Sequence, residues 1–128
     1  MQKALFLDRD GVINVDKSYI YKTEDIEFAA GIFQFLKTAA DLGFELVVIT
    51  NQAGIARGMY TEEDVVRLHE WMSKVFNEKG INIRKFYFCP HHPDFSEKCN
   101  CRKPEIGMVT QAAEELKIDL KKSVIIGD

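Results

Sequence analysis

Apolar and polar positions alternate along the chain in two different periods, and the switches between them lay out the elements. Residues 3–7 form a short apolar run and residues 45–50 (ELVVIT) a continuous β-branched one, the pattern of strands buried on both faces. Between them Ile32, Leu36, Ala39 and Ala40 recur at helical spacing, and Gly43 supplies a stop. Thr61 is placed to cap a long helix with the stripe Val65, Leu68, Met72, Val75 and Phe76, ended by Gly80. Residues 85–88 read as a short strand, 108–116 as a helix, and 123–126 as an apolar strand running into Gly127 and Asp128. Strands alternating with helices predict an α/β fold around a doubly wound, mostly parallel sheet. No repeat, low-complexity tract or linker interrupts the pattern, so residues 1–128 read as a single domain.

The polar residues that interrupt this pattern carry the chemistry. Asp8, Thr50 and Asp128 follow or end apolar strands. In a parallel sheet they share the carboxyl edge, where α/β folds bind ligands. Whether they converge depends on strand order, which spacing does not give. Asp8 and Asp10 stand two apart, so a continued strand would turn both carboxylates to one side. Such a pair binds a divalent cation, or supplies a nucleophile and a proton donor. A strand followed by an acidic Asp-Gly turn is the simpler alternative.

Composition narrows the classes. A chain of 128 residues, 46% apolar and 29% charged, is ordinary for a globular domain with a real core. A net charge of −3 without a basic run argues against a nucleic-acid partner. No apolar stretch approaches the length of a membrane span and no signal-peptide core opens the chain, so a cytoplasmic protein is expected. Cys89, Cys99 and Cys101 cluster in one stretch, an odd set that suits a metal better than a disulfide framework. Cys89-Pro90-His91 and Cys99-Asn100-Cys101 give a C-x-H and C-x-C pair with seven residues between His91 and Cys99. Thiolates plus imidazole suit a closed tetrahedral Zn2+ site. His92 and His69 read as ordinary, the latter on or packed beneath the long helix.

DRDGVIN after a strand, Thr50-Asn51 at a strand end, Lys103 before a helix and Gly127-Asp128 after a strand resemble the four motifs of the haloacid dehalogenase-like phosphatases. VDKSYIY, TNQAGIARGMYTEED, CPHHP and CNCRKP extend the resemblance over nearly the whole chain, to the branch of D-glycero-D-manno-heptose 1,7-bisphosphate phosphatases. The histidinol-phosphatase domain is a near relative sharing DRDG, TNQ and CxCRKP. The resemblance implies a Rossmann-like core without a large cap domain, and a phosphatase acting through an aspartyl-phosphate. Asp8 would be the nucleophile and Asp10 the acid and base. Asp8, the Asp10 carbonyl and Asp128 would hold Mg2+, while Thr50, Asn51 and Lys103 would hold the transferring phosphoryl group. Asp16, Lys17, Ser18, Tyr19, Gln52, Ala53 and Arg102 would contact substrate, and Arg57 would be a substrate contact or a surface charge. Cys89, His91, Cys99 and Cys101 would hold a structural Zn2+ that orients Arg102 and Lys103.

The implied substrate is heptose 1,7-bisphosphate, losing its C7 phosphate in the routes that feed lipopolysaccharide or surface polysaccharide. Histidinol phosphate or another small phosphomonoester is the alternative, and a zinc-stabilised phosphosugar-binding module without turnover is the alternative from another class. A nucleic-acid end-processing phosphatase fits the motifs but not the acidic balance. Compact loops imply an open site and a monomer. The chain stops at Asp128, where family members continue with about one more helix and strand, so it reads as truncated relative to the family. An exposed last strand and a terminal carboxylate near the metal are the expected consequences.

Overall fold

The computed structural model describes residues 2–90 and 107–127. Four parallel strands make one sheet in the order β3-β2-β1-β4. These are β1 (Ala4–Asp8), β2 (Glu45–Asn51), β3 (Ile83–Cys89) and β4 (Val124–Ile126). The helices are α1 (Ile32–Asp41), α2 (Ala53–Ala56), α3 (Glu62–Glu78) and α4 (Gly107–Leu116). Alternate residues of each central strand enter opposite cores, which is why residues 4–7 of β1 and 46–49 of β2 are all apolar. Leu5, Leu7, Leu46 and Val48 pack with Leu36 of α1 and Leu68, Met72 and Phe76 of α3. Ala4, Phe6, Val47 and Ile49 pack with Met108, Val109 and Ala112 of α4. This two-sided burial is the doubly wound arrangement. Among the described residues no helix is long and apolar enough to cross a membrane.

Local chemistry sets the element ends. Thr61 Oγ1 accepts from the Asp64 N–H at 3.1 Å and the Asp64 carboxylate accepts from the Thr61 N–H at 2.9 Å, a reciprocal cap that starts α3. Beyond α3, Gly80 takes φ +75°, a left-handed turn that costs other residues more.

Several element boundaries differ from the sequence reading. β3 begins at Ile83 rather than residue 85, because an edge strand tolerates the exposed Arg84 and Lys85. Ser123 stays outside β4: its hydroxyl accepts from the Ala4 N–H (2.9 Å) and donates to the Asp119 carbonyl (2.7 Å), tying the start of β1 instead. Ala40 faces solvent. Phe33 completes that stripe, its ring 5.0 Å from Phe28 and 5.5 Å from Phe76. In β4, Val124 and Ile125 are exposed.

Candidate active site

The strand order brings together what the spacing alone left apart. Asp8, the last residue of β1, stands beside Ile49 of β2, while Leu7 pairs with Ile126 of β4. Thr50 pairs with Phe88, and Asn51 with Cys89 at the end of β3. The carboxyl ends of β1 and β2 therefore meet with Asp8 and Thr50 on adjacent strands, and the Gly127 end of β4 flanks Asp8 on the other side.

Asp10 reaches this edge by a turn and not by strand alternation, a correction to the reading from period two. The chain folds back after Asp8, and the N–H groups of Val12, Ile13 and Asn14 all donate to the Arg9 carbonyl at 2.9–3.3 Å. Arg9 consequently points inward and is completely buried. Its Nε donates to Asp10 Oδ1 at 3.0 Å and its second terminal nitrogen to Asp10 Oδ2 at 3.1 Å. This is the two-point fork that fixes a carboxylate in plane. Asn14 Nδ2 adds a bond to Oδ1 at 3.0 Å, and Gln52 Nε2 a long one to Oδ2 at 3.5 Å. The Asp10 side chain is 21% exposed, so it faces the crevice while its donors lie beneath it.

Arg9 is itself held. It donates to the Ile20 carbonyl at 3.1 Å and lies 3.1 Å from His69 Nε2. His69 is buried, stacked on Phe86 at 4.5 Å and edge-on to Phe88 at 6.0 Å. Burial, and then the Arg9 charge, push its pKa down to about 3 from 6.5, so the ring is neutral. A neutral ring beside an obligate donor must accept at Nε2 and carry its proton on Nδ1. His69 was expected on the surface or packed; it is packed, and it faces the site from below.

Thr50 of β2 and Gln52 just beyond it are nearly completely buried. Gln52 Nε2 donates to Thr50 Oγ1 at 2.9 Å, and Tyr60 Oη donates to Gln52 Oε1 at 2.6 Å. Burial raises the Tyr60 pKa to about 12, which keeps the phenol protonated and donating. Its ring stacks on Tyr21 at 5.2 Å.

A cleft of about 260 Å3 opens above these groups, with Asp10, Asn51, Gln52, Ala53 and Tyr60 along its floor. Asp16, Ser18 and Tyr19 line its other wall. Ser18 and Tyr19 take φ +63° and +54°, an uncommon conformation for two successive residues with side chains, and a cost of order 1 kcal/mol each. The Asp16 carboxylate accepts from the Ser18 N–H at 2.9 Å and holds the turn. Arg57 reaches across to donate to the Tyr19 hydroxyl, with its guanidinium 5.3 Å from the ring centre. Lys17, expected on the substrate side, is not on the cleft wall: its Nζ pairs with Glu27 at 3.3 Å on the surface.

His91, Cys99, Cys101, Arg102, Lys103 and Asp128 lie outside the described residues. Within them, Cys89 is buried at the end of β3, beside Asn51, and is disulfide-bonded, where the sequence reading makes it a zinc ligand. Among the described residues no group of three or more His, Cys, Asp or Glu gathers as a metal site. The Asp8 carboxylate and Asp10 carbonyl are nonetheless hard oxygen donors at one turn. That set suits Mg2+, which takes few protein ligands and keeps several waters.

Sequence reasoning passed over Arg9, Asn14, Tyr60 and the accepting role of His69. One signal was present for His69: positions 65, 69, 72 and 76 form one helical stripe, and three of the four are apolar. Tyr60 carried none, because its partner is found only once β2 and the start of α3 are in place.

The family model described as polynucleotide kinase 3 phosphatase matches residues 3–128. A D-glycero-beta-D-manno-heptose-1,7-bisphosphate 7-phosphatase of Yersinia pestis is 47% identical over 130 residues, covering 98% of this chain and 69% of the relative. A D-glycero-alpha-D-manno-heptose-1,7-bisphosphate 7-phosphatase of Campylobacter jejuni is 50% identical over 126 residues, covering 98% and 71%. The crystal structure of D,D-heptose 1,7-bisphosphate phosphatase from B. bronchiseptica with magnesium and phosphate superposes with a TM-score of 0.87 at 31% identity, covering 98% of this chain and 70% of that one. With its sheet order, its paired aspartates and these relatives, the chain belongs to the haloacid dehalogenase-like phosphatases.

Proposed function

We propose that this chain is a Mg2+-dependent phosphatase that removes the C7 phosphate of D-glycero-D-manno-heptose 1,7-bisphosphate through a phosphoryl group carried on Asp8. The observation that carries the reading is the meeting of Asp8, Asp10 and Thr50 at one sheet edge, in a chain about half identical to enzymes of that name.

An Asp8 oxygen bonds to phosphorus as the bond to the C7 oxygen breaks, and the Asp10 carboxyl gives that oxygen its proton. A water then attacks phosphorus while Asp10 takes back a proton, which releases inorganic phosphate and restores Asp8. Asp10 Oδ2 is the oxygen with capacity for this work, since its second donor is the long bond from Gln52. The Thr50 hydroxyl, the Asn51 amide and Lys103 would hold the phosphoryl oxygens as charge shifts onto them. Mg2+, held by Asp8, the Asp10 carbonyl and Asp128, would supply the positive charge that lets a carboxylate approach a phosphate dianion. Asp16, Ser18, Tyr19 and Ala53 form the sugar side, and Arg102 is assigned to the second phosphate.

Cys89, His91, Cys99 and Cys101 are assigned to a structural Zn2+ on the strength of their spacing, with Cys89 anchored in the core. Metal analysis of the purified protein is expected to find zinc at one equivalent. Its removal, with Mg2+ restored, is expected to raise KM through Arg102 and Lys103. Unchanged kinetic constants, or no zinc in protein purified under reducing conditions, would sink that assignment. A cytoplasmic monomer completes the reading.

The test is phosphate release from both anomers of heptose 1,7-bisphosphate, from histidinol phosphate and from a 3′-phosphorylated oligonucleotide, with and without Mg2+. The last substrate is included because the matching family model names a 3-phosphatase. Mg2+-dependent release with kcat/KM highest for a heptose bisphosphate is expected. A preference for the oligonucleotide or for histidinol phosphate would overturn the substrate, and no release from any would leave a binding role.

A further inference from the structure

The family resemblance makes Gln52 a substrate contact, but in the fold its amide is engaged elsewhere. It is 2% exposed and bonded at both ends, to Tyr60 and to Thr50, with Asp10 as a third neighbour. The direction of this chain is fixed at each link. Tyr60 Oη lies 2.6 Å from Gln52 Oε1, an amide oxygen that only accepts, so the phenol must donate. Turning the amide over would set Oε1 against the Asp10 carboxylate, where Nε2 now stands 3.5 Å away. Gln52 must therefore present Nε2 to Thr50.

A hydroxyl has one proton. With its oxygen accepting from Gln52, Thr50 directs that proton away from the buried side. Its only other partner among the described residues is the Asn51 carbonyl at 3.5 Å, at the limit of a hydrogen bond. Gly54 makes the arrangement possible, because a Cβ there would stand 2.2 Å from the Tyr60 ring.

We propose that Tyr60 and Gln52 are positioning residues: the directed chain from Tyr60 through Gln52 fixes the Thr50 hydroxyl as a donor toward the transferring phosphoryl group. The inference rests on the functional reading above for the identity of that group. It moves Gln52 from substrate contact to the support of the phosphoryl donor, and gives Tyr60 a part in the reaction although it need not touch substrate.

The experiment is a double-mutant cycle in kcat on heptose 1,7-bisphosphate, with Tyr60→Phe and Thr50→Val. Tyr60→Phe keeps the ring and its stack on Tyr21 but removes the donor. In the presence of Thr50 it is expected to lower kcat about tenfold with KM changed less than about twofold. In the Thr50→Val background it is expected to have no further effect, because the group it orients is gone. Gln52→Met, which keeps the shape and removes both polar atoms, is expected to behave in the same way. Equal losses in both backgrounds, or a change in KM alone, would overturn the inference while an active parent protein upholds the phosphatase reading. An inactive parent would overturn that reading and this inference with it.

Discussion

The floor and the wall of the cleft are built on different principles. Beneath Asp10 and Thr50 the polar groups are buried, and Arg9 is answered by Asp10, His69 and Ile20 and Gln52 by Tyr60 and Thr50, while Asn14 Oδ1 has no partner among the described residues. On the opposite wall, Ser18 and Tyr19 stand in strained backbone on an exposed loop, held by one Asx-type bond and one arginine. A floor that must place charge to within a fraction of an ångström gains from low dielectric and fixed donors. A wall that sorts sugars gains from adaptable, solvated groups. Chemistry and selection are thus divided between the sheet edge and the loop. Floor changes should act on kcat and stability, and wall changes on KM.

Asp8→Asn should break the division most completely, removing turnover by roughly 10³-fold or more in a phosphate-release assay while the thermal midpoint stays near that of the parent. Arg9→Met removes the buried fork under Asp10 and is expected to cost about 3 kcal/mol in denaturant unfolding, since it leaves a half-buried carboxylate without its partner. The same variant should lower kcat with little change in KM.

A third expectation concerns pH. His69 has a folded pKa of about 3 against 6.5 in the unfolded chain, so below pH 6.5 only the unfolded chain takes up that proton. Stability from this site is complete above pH 6.5 and falls as pH drops from 6.5 toward 3, by about 2 kcal/mol at pH 5. Comparing unfolding at pH 7 and pH 5, the parent should lose more than His69→Gln, which keeps an acceptor for Arg9 without a titrating ring. The smallest effect belongs to the wall. Tyr19→Ala should raise KM about fivefold, about 1 kcal/mol, with kcat unchanged. A kcat loss there equal to that of Arg9→Met would erase the distinction.

Much of this was legible in the sequence because it depends on local pattern. The β-branched run of β2 and the Thr61 cap each declare themselves within a few residues, and the strand-end positions of Asp8 and Thr50 follow from them. What was hidden depends on what the strands bring together. Asp10 reaches the edge through a backbone turn that period two does not describe. Arg9 carries no signal in the pattern, because only the turn aims it inward against His69, sixty positions away. Gln52 looks like a polar loop residue open to substrate until Tyr60 is seen to occupy its carbonyl.

The claim beneath all of this is that phosphorus passes through Asp8. Mixing the protein with heptose 1,7-bisphosphate and Mg2+, quenching in acid on the millisecond scale and mapping the modified peptide by mass spectrometry tests it directly. One phosphoryl group on Asp8, formed and lost at rates that account for turnover, is the expected result. Turnover with no adduct at Asp8, or undiminished in Asp8→Asn, would contradict the account.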